Sequence, residues 1–336
     1  MSTTSKLKPA PTLKDYWQDN ERFADLFNQV FFRGKETIKA SKLSVVDTDE
    51  SSVVINHGQL STVVSARDVI KLHNSDTELA FVAIENQMNV DYTMPVRTML
   101  YDALRYVDQC KDLYRQNRKA KTLQGSGEFL SGMSRTDRLK PVITLVLYFG
   151  EKSWDGPTKL SDILDIPNGF AELYNDHTLH LLQVRDTQNL KFQNQDNREF
   201  FSMIHEFYNH DGRINYEELR EKYAQSTINW EVLAAVGAVT NSKPLIKYAY
   251  EHQRGEINMC TALANMFEEW KEQGIEEGKQ EGIEQGIEQG KEEGATARSL
   301  QIARNMLSNG MDVHLVISMT ELSKDIVSEI QLDLAK

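Results

Sequence analysis

The stretch ARDVIKLHNSDTELAFVAIENQ, residues 66–87, decides how the chain is read. Residues 61–73 and 78–85 are apolar and β-branched runs around Ser75, Asp76, Thr77 and Glu78, the pattern of two strands joined by a short turn. Paired as an antiparallel hairpin closed by those four residues, the strands set Asn74 against Leu79. Counting back along the ladder then puts Asp68 opposite Glu85. Directly opposed residues carry side chains ~5 Å apart on one face of a sheet. Gln87, two residues beyond Glu85, returns to that face. Two carboxylates and an amide therefore meet on a face whose other members, Ile70, Leu72, Phe81 and Ala83, are apolar. Like charges opposed in this way destabilise a sheet, and a divalent cation removes the conflict. Hard oxygen donors suit Mg²⁺ (or Mn²⁺), which keeps several waters, takes one or two carboxylates, and lowers the pKa of a bound water. The spacing leaves a second possibility open, in which Asp68 and Glu85 are solvated acids at strand ends.

Upstream, DNERFADLFNQVFF (19–32) places Phe23, Leu26, Phe27 and Val30 at helical spacing behind Asp19 or Asn20 as N-cap. LSVV (43–46) and SVVI (52–55) are read as short strands of the same sheet as the hairpin or as loop, with 61–72 taken as one strand. Downstream, Met94-Pro95 opens a helix to about residue 117. Arg97 and Tyr101, four apart, share one of its faces. Residues 119–137, with three glycines and no period, are expected to form a mobile loop. PVITLVLY (141–148) is a continuous apolar run, expected as a strand covered on both faces, and LHLLQV (179–184) is a further strand. Helical patterns then run to Trp270.

The net charge of −12 argues at first against a polyanionic partner. It is unevenly spread. Glu268 to Glu293 holds ten Glu against three Lys, whereas Lys111 to Lys140 holds eight Lys and Arg against three acids. The first of these segments overlaps a run with glycine at every fourth position from 274 to 294. In a helix those glycines trace a slowly rotating groove beside Ile275, Ile283 and Ile287, read either as a self-association surface or as an acidic linker. Beyond it come a helix ending at Gly310, another from about Asp312 to Met319, and a third opening at Ser323. Such helices are compatible with a helix-turn-helix, but Asp325 and Glu329 suit phosphates poorly, so a small helical packing module is expected.

No apolar run approaches the ~20 residues that span a bilayer, and Met1–Pro11 lacks a secretory signal, so a cytoplasmic protein without membrane association is expected. Cys110 and Cys260 are too isolated for a disulfide framework. The eight histidines show no zinc-ligand spacing, and GxGxxG, Walker A and GxSxG are all missing. Zinc-hydrolase, nucleotide-dependent and serine-hydrolase classes therefore lack support.

The segments ARDVIKL…ELAFVAIENQ, MPVRTMLYDALRY and PVITLVLYFGEKSWDGP resemble the recombination-promoting nuclease (YhgA-like, putative transposase) family within the PD-(D/E)xK superfamily. The tail, with IARNMLSNGMDV…SMTELSKDIVSEI, resembles the same family's C-terminal part. The resemblance implies an α/β fold with a restriction-endonuclease-like core, a central mixed sheet flanked by helices, and an α-helical C-terminal extension. It implies Mg²⁺-dependent hydrolysis of DNA linked to recombination or mobile elements, with Asp68 and Glu85 as metal ligands. Gln87 takes the place of the superfamily lysine, and no proline precedes Asp68. Arg97 and Tyr101, on a helix that borders the site in related folds, are phosphate- or DNA-binding candidates; a surface Arg packed on Tyr is the alternative. Glu21 and Asp25 are candidate accessory acids. Tyr148, Gly150 and Trp154 are expected to be structural. The expected domains are a nuclease-like unit over 15–190, a helical region over 191–270, the acidic glycine repeat over 271–297, and a helical module over 298–336. DNA is the expected partner, with homo-oligomer formation through the C-terminal region. The competing class is a non-catalytic DNA-binding or self-assembling protein that retains the nuclease fold.

Overall fold

A five-stranded sheet whose central strands are buried on both faces carries the candidate site. A computed structural model describes residues 9–46, 49–56, 59–66, 68–74, 79–150, 152–209, 221–223, 225–253 and 255–334. The sheet comprises β1 (Leu43–Val45), β4 (Val69–Asn74), β5 (Leu79–Gln87), β6 (Val142–Tyr148) and β7 (His180–Gln183), in the spatial order β1-β4-β5-β6-β7. β1, β4 and β5 pair antiparallel, while β5, β6 and β7 pair parallel, so the sheet is mixed. The parallel β5–β6 step needs a crossover, supplied by α3 (Met94–Ala120) and α4 (Gly125–Ser131).

The β4–β5 register runs from Val69 opposite Ile84 to Asn74 opposite Leu79, as expected for a hairpin; the turn residues 75–78 lie outside the described residues. Ile70, Phe81 and Ala83 pack together on one face, with Leu72 and Val142 beside them. α3 covers this face: Met94 packs with Val146 and Leu179, and Arg105 lies over the Phe81 ring at 5.2 Å. The opposite face meets α2 (Asn20–Phe32), which Asp19 caps by accepting from Arg22 N at 2.9 Å. Phe31 meets His180 edge-on across this layer, and Lys71 of β4 projects under the Phe23 ring. β6, the central parallel strand, is buried from Thr144 to Tyr148, as its unbroken apolar sequence predicts.

Three expectations are corrected. Residues 61–72 do not form one strand: β3 (Gln59–Ala66) pairs only with β2 (Asp49–Asn56) in a separate two-stranded sheet. The interruption falls at the bend of Asp68, whose side chain accepts the Asn86 N–H in place of a ladder partner. Residues 119–137 are not a structureless loop. α3 runs on to Ala120, and α4 follows, ended by Gly132 in the left-handed region that glycine reaches without strain. An opening helix, α1 (Pro9–Tyr16), is not foreseen by the periodicity because Pro9 and Pro11 mask it; proline is tolerated in a first turn.

After β7 come α5 (Gln195–Asn209), α6 (Trp230–Val239) and α7 (Lys243–Glu251), with the short pair β8 (Thr227–Asn229) and β9 (Glu256–Asn258). Buried Arg22 ties these helices to α2: its NH2 lies 2.7 Å from Asp196 and 2.6 Å from Glu231. The chain divides into two compact units, Met1–Met266 and Phe267–Lys336. The second contains most of α8 (Met259–Ser308), with α9 (Val313–Thr320) and α10 (Lys324–Leu334), the last three helices the sequence predicts. Its core is Ala303, Val316, Leu322 and Val327. No described helix is long and apolar enough to cross a membrane.

Candidate active site

Asp68 and Glu85 stand where β4 and β5 adjoin, and each is held by different groups. The β4–β5 ladder ends at Val69–Ile84, and Asp68 and Glu85 lie one residue beyond that last pair, Asp68 at a bend and Glu85 within β5. Asp68 is half-buried, and its Oδ2 accepts from Asn86 N at 2.7 Å and Asn86 Nδ2 at 3.0 Å. Trp17 Nε1 in turn donates to Asn86 Oδ1 at 3.2 Å, so the start of α2's layer clamps the amide that holds the carboxylate. Burial pushes the Asp68 carboxyl above its usual range; the Asn86 hydrogen bonds and the charges of Lys14 and Arg97 offset this only partly.

Glu85 is buried, and its Oε1 accepts from Arg97 NH2 at 2.7 Å. Gln87 Nε2 lies 3.5 Å from the same oxygen, on the face that strand alternation assigns to it. Arg97 thus belongs to the cluster itself. Its NH1 donates to Asp91 Oδ2 at 2.6 Å, and its Nε and NH2 reach Tyr101 Oη at 3.4 and 3.1 Å. Burial pulls the guanidinium pKa down, but Asp91, Tyr101 and Glu85 outweigh it and leave it raised, so Arg97 is a fixed cation. Asp91 is held below the ordinary carboxylate range: desolvation raises it, and hydrogen bonds from Thr93 and Arg97 outweigh that.

Glu21 and Asp25 are placed elsewhere. Asp25 accepts from Gln193 N, Asn194 N and Asn197 Nδ2 at 2.9, 3.2 and 3.0 Å, so its carboxylate seats the start of α5. Glu21 is exposed in the first turn of α2, beside a cavity it shares with Asp25 and residues 193–195. Tyr148 and Trp154 pack edge to face at 5.1 Å, and a Cβ at Gly150 would strike the Tyr148 ring, which accounts for that tyrosine, glycine and tryptophan structurally.

Sequence reasoning missed Asn86, Asp91 and Trp17. Asn86 points to the opposite face by alternation, and only the bend at Asp68 lets its backbone and side-chain amides both reach the carboxylate. For Asp91 a signal exists. Its Oδ1 accepts from Thr93 N at 2.8 Å and Thr93 Oγ1 at 2.6 Å, the Asx turn that an Asp-x-Thr before a helical proline announces.

Chemically the cluster offers carboxylate and amide oxygens beside one guanidinium. Among the described residues no three His, Cys, Asp or Glu converge as a metal cage. No curated protein and no solved structure matches the chain. Residues 296–331 match the family model described as the C-terminal HTH domain of the Rpn/YhgA-like nuclease family. The expectation of a packing module rather than a helix-turn-helix is thereby corrected: the end of α8 with α9 and most of α10, packed around Val316, falls within the segment that matches a helix-turn-helix domain model. In this C-terminal segment the chain is similar to the Rpn/YhgA-like nuclease family.

Proposed function

We propose that the chain is a metal-dependent DNA endonuclease with a PD-(D/E)xK-type centre formed by Asp68, Glu85 and Gln87 and completed by Arg97. The observation that supports this reading is that Asp68 and Glu85 lie one residue beyond the last pair of the β4–β5 ladder, with the Arg97 guanidinium 2.7 Å from Glu85. The donor set fits a hard divalent cation: it contains no thiolate or imidazole, and two carboxylates with water are what Mg²⁺ typically accepts. Asp68 and Glu85 would hold it. Mg²⁺ or Mn²⁺ bound there supplies a water of lowered pKa and neutralises charge on a phosphate.

The chain's own groups divide the remaining work. Asn86 fixes the Asp68 carboxylate through two donors. Gln87, a neutral amide, orients water or a phosphate oxygen by hydrogen bonding. Arg97 restores from α3 the positive charge that the lysine position lacks, and Asp91 and Tyr101 hold its planar fork in place for an anionic oxygen. DNA as substrate is supported by the family match of the C-terminal segment and by the basic stretch Lys111–Lys140. A role in recombination or mobile-element movement follows from the family resemblance.

Supercoiled plasmid incubated with the full chain and Mg²⁺ should be nicked, and an Asp68→Ala, Glu85→Ala double variant should leave it intact. Equal nicking by the two proteins refutes the assignment. Two observations favour a second reading, a DNA-binding protein that retains the fold without cutting: Arg97 already balances Glu85, and the matched family segment is the helix-turn-helix. In that case saturating Mg²⁺ gives no rise in Tm, since a ligand confined to the folded state must stabilise it.

A further inference from the structure

The second half of α3 and the segment after it carry the chain's densest positive charge, and the structure arranges that charge outward. Tyr106 Oη accepts from Val142 N, and Gln109 pairs with Lys140, so α3 beyond Gln109 has passed the first residue of β6. From there Lys111, Arg115 and Arg118 form one helical stripe, flanked by Lys119, and all four are exposed. The Arg118 guanidinium lies over the Tyr114 ring at 5.2 Å.

The following loop is seated beside this stripe, against Tyr114 and Asn117. Asn117 Nδ2 donates to Gly132 O at 3.1 Å and to Asp137 Oδ2 at 2.6 Å, and Gly132 lies so close to Tyr114 that a Cβ there would enter the ring. Arg135 and Arg138, three and six residues past Gly132, are exposed beyond this anchor. The acids are engaged differently. Glu128 accepts from Gln124 N and Arg135 N, and Asp137 from Ser134 N and Asn117, so two of the segment's three acids serve its own backbone and anchor. The third, Asp112, makes an exposed pair with Arg115, and Asp108, just upstream on α3, pairs with Lys111 at 3.1 Å; such surface pairs carry little energetic weight and are easily screened.

We propose that this surface is a backbone-binding site for duplex DNA, taking phosphates along the substrate some distance from the cut. It rests on the nuclease reading for the identity of its partner. Charge complementarity selects phosphate: the cations are preorganised on a helix and a pinned loop in a chain that is otherwise strongly acidic. Position along α3 sets the spacing. Arg118 lies about 32 Å along the helix from Arg97, at ~1.5 Å per residue, which corresponds to roughly nine nucleotides at ~3.4 Å each.

The experiment uses the full chain with Asp68→Ala and Glu85→Ala, so that no DNA is cut, and follows the anisotropy of a labelled 30-base-pair duplex over a series of KCl concentrations. Adding Arg115→Gln, Arg118→Gln, Lys119→Gln and Arg135→Gln should flatten the slope of log K against log salt by about 0.9 for each phosphate that is no longer neutralised. The two proteins should bind an 8-base-pair duplex alike. A Gly132→Ala variant, which keeps every charge but unseats the loop, should lose affinity for the long duplex as well. Equal slopes for the quadruple variant and its parent overturn the proposal, provided their circular dichroism agrees; should the quadruple variant misfold, Arg115→Gln and Lys119→Gln alone decide it. If wild type fails to nick plasmid while the slopes differ, the nuclease reading falls and the binding surface stands. If wild type nicks and the slopes coincide, only the surface falls.

Discussion

Asp68 carries a charge that its surroundings resist. Its carboxyl is pushed up by burial, so above that raised pKa the ionised side chain costs the fold stability. Below the ordinary carboxylate pKa it is protonated in both folded and unfolded chains, and the cost vanishes. Asp68→Asn keeps an oxygen for Asn86 and removes the charge. It should raise the denaturation midpoint at neutral pH, leave it unchanged near pH 3, and abolish nicking; a lower midpoint at neutral pH refutes the account. Such a gain in stability on loss of a functional group is the usual trade-off at a strained site. At this scale the sequence was legible where alternation governs. The shared face of Glu85 and Gln87 follows from strand alternation, whereas the bend at Asp68 and the place of Arg97, which depends on how α3 crosses the sheet, are reported by no spacing. Asp25, a candidate accessory acid by sequence, is engaged at the start of α5, because a buried carboxylate near a helix start is readily used by that helix.

Among the elements, β4 is the most constrained. Lys71 projects from it into the α2 layer, fully buried, and donates to Gln18 O and Asn20 Oδ1 at 2.7 Å each. Its ammonium fastens the chain between α1 and α2 at the cost of desolvation, which brings its pKa down to about 8. The unfolded chain holds this proton up to about pH 10.4. Between those values the unfolded state binds more protons, so stability rises with pH, by up to about 3 kcal/mol over the whole interval. Denaturant midpoints should climb from pH 8 to 9.5, below tyrosine ionisation, and lose that slope in Lys71→Met. A parallel climb in both proteins refutes it. Element identity was legible for α2, β5 and β6, whose periods are uninterrupted. It was not legible at Ala66–Val69, where a β-branched run hides a change of sheet, nor at α4, where three glycines obscure a helix that Gln124 and Glu128 hold closed.

For the molecule as a whole, the five glycines Gly278 to Gly294 of α8 have nothing within 4 Å of where a Cβ would stand. Replacing them by alanine therefore meets no obstacle inside one chain and should gain up to ~1 kcal/mol of helix propensity each. A second copy packed along the groove changes the sign, because added methyl groups would hold the helices apart. Light scattering of wild type and the five-alanine variant distinguishes these: the self-association expected from the sequence predicts a larger mass for wild type, and equal masses exclude it. The same glycines have a consequence for the intact chain. They concentrate weak helix in the exposed stretch between the first unit's end at Met266 and the core around Ala303, where glutamates are also dense. A glutamate-specific protease should find its earliest cuts there, so that the chain comes apart first into two folded fragments that correspond to its two compact units.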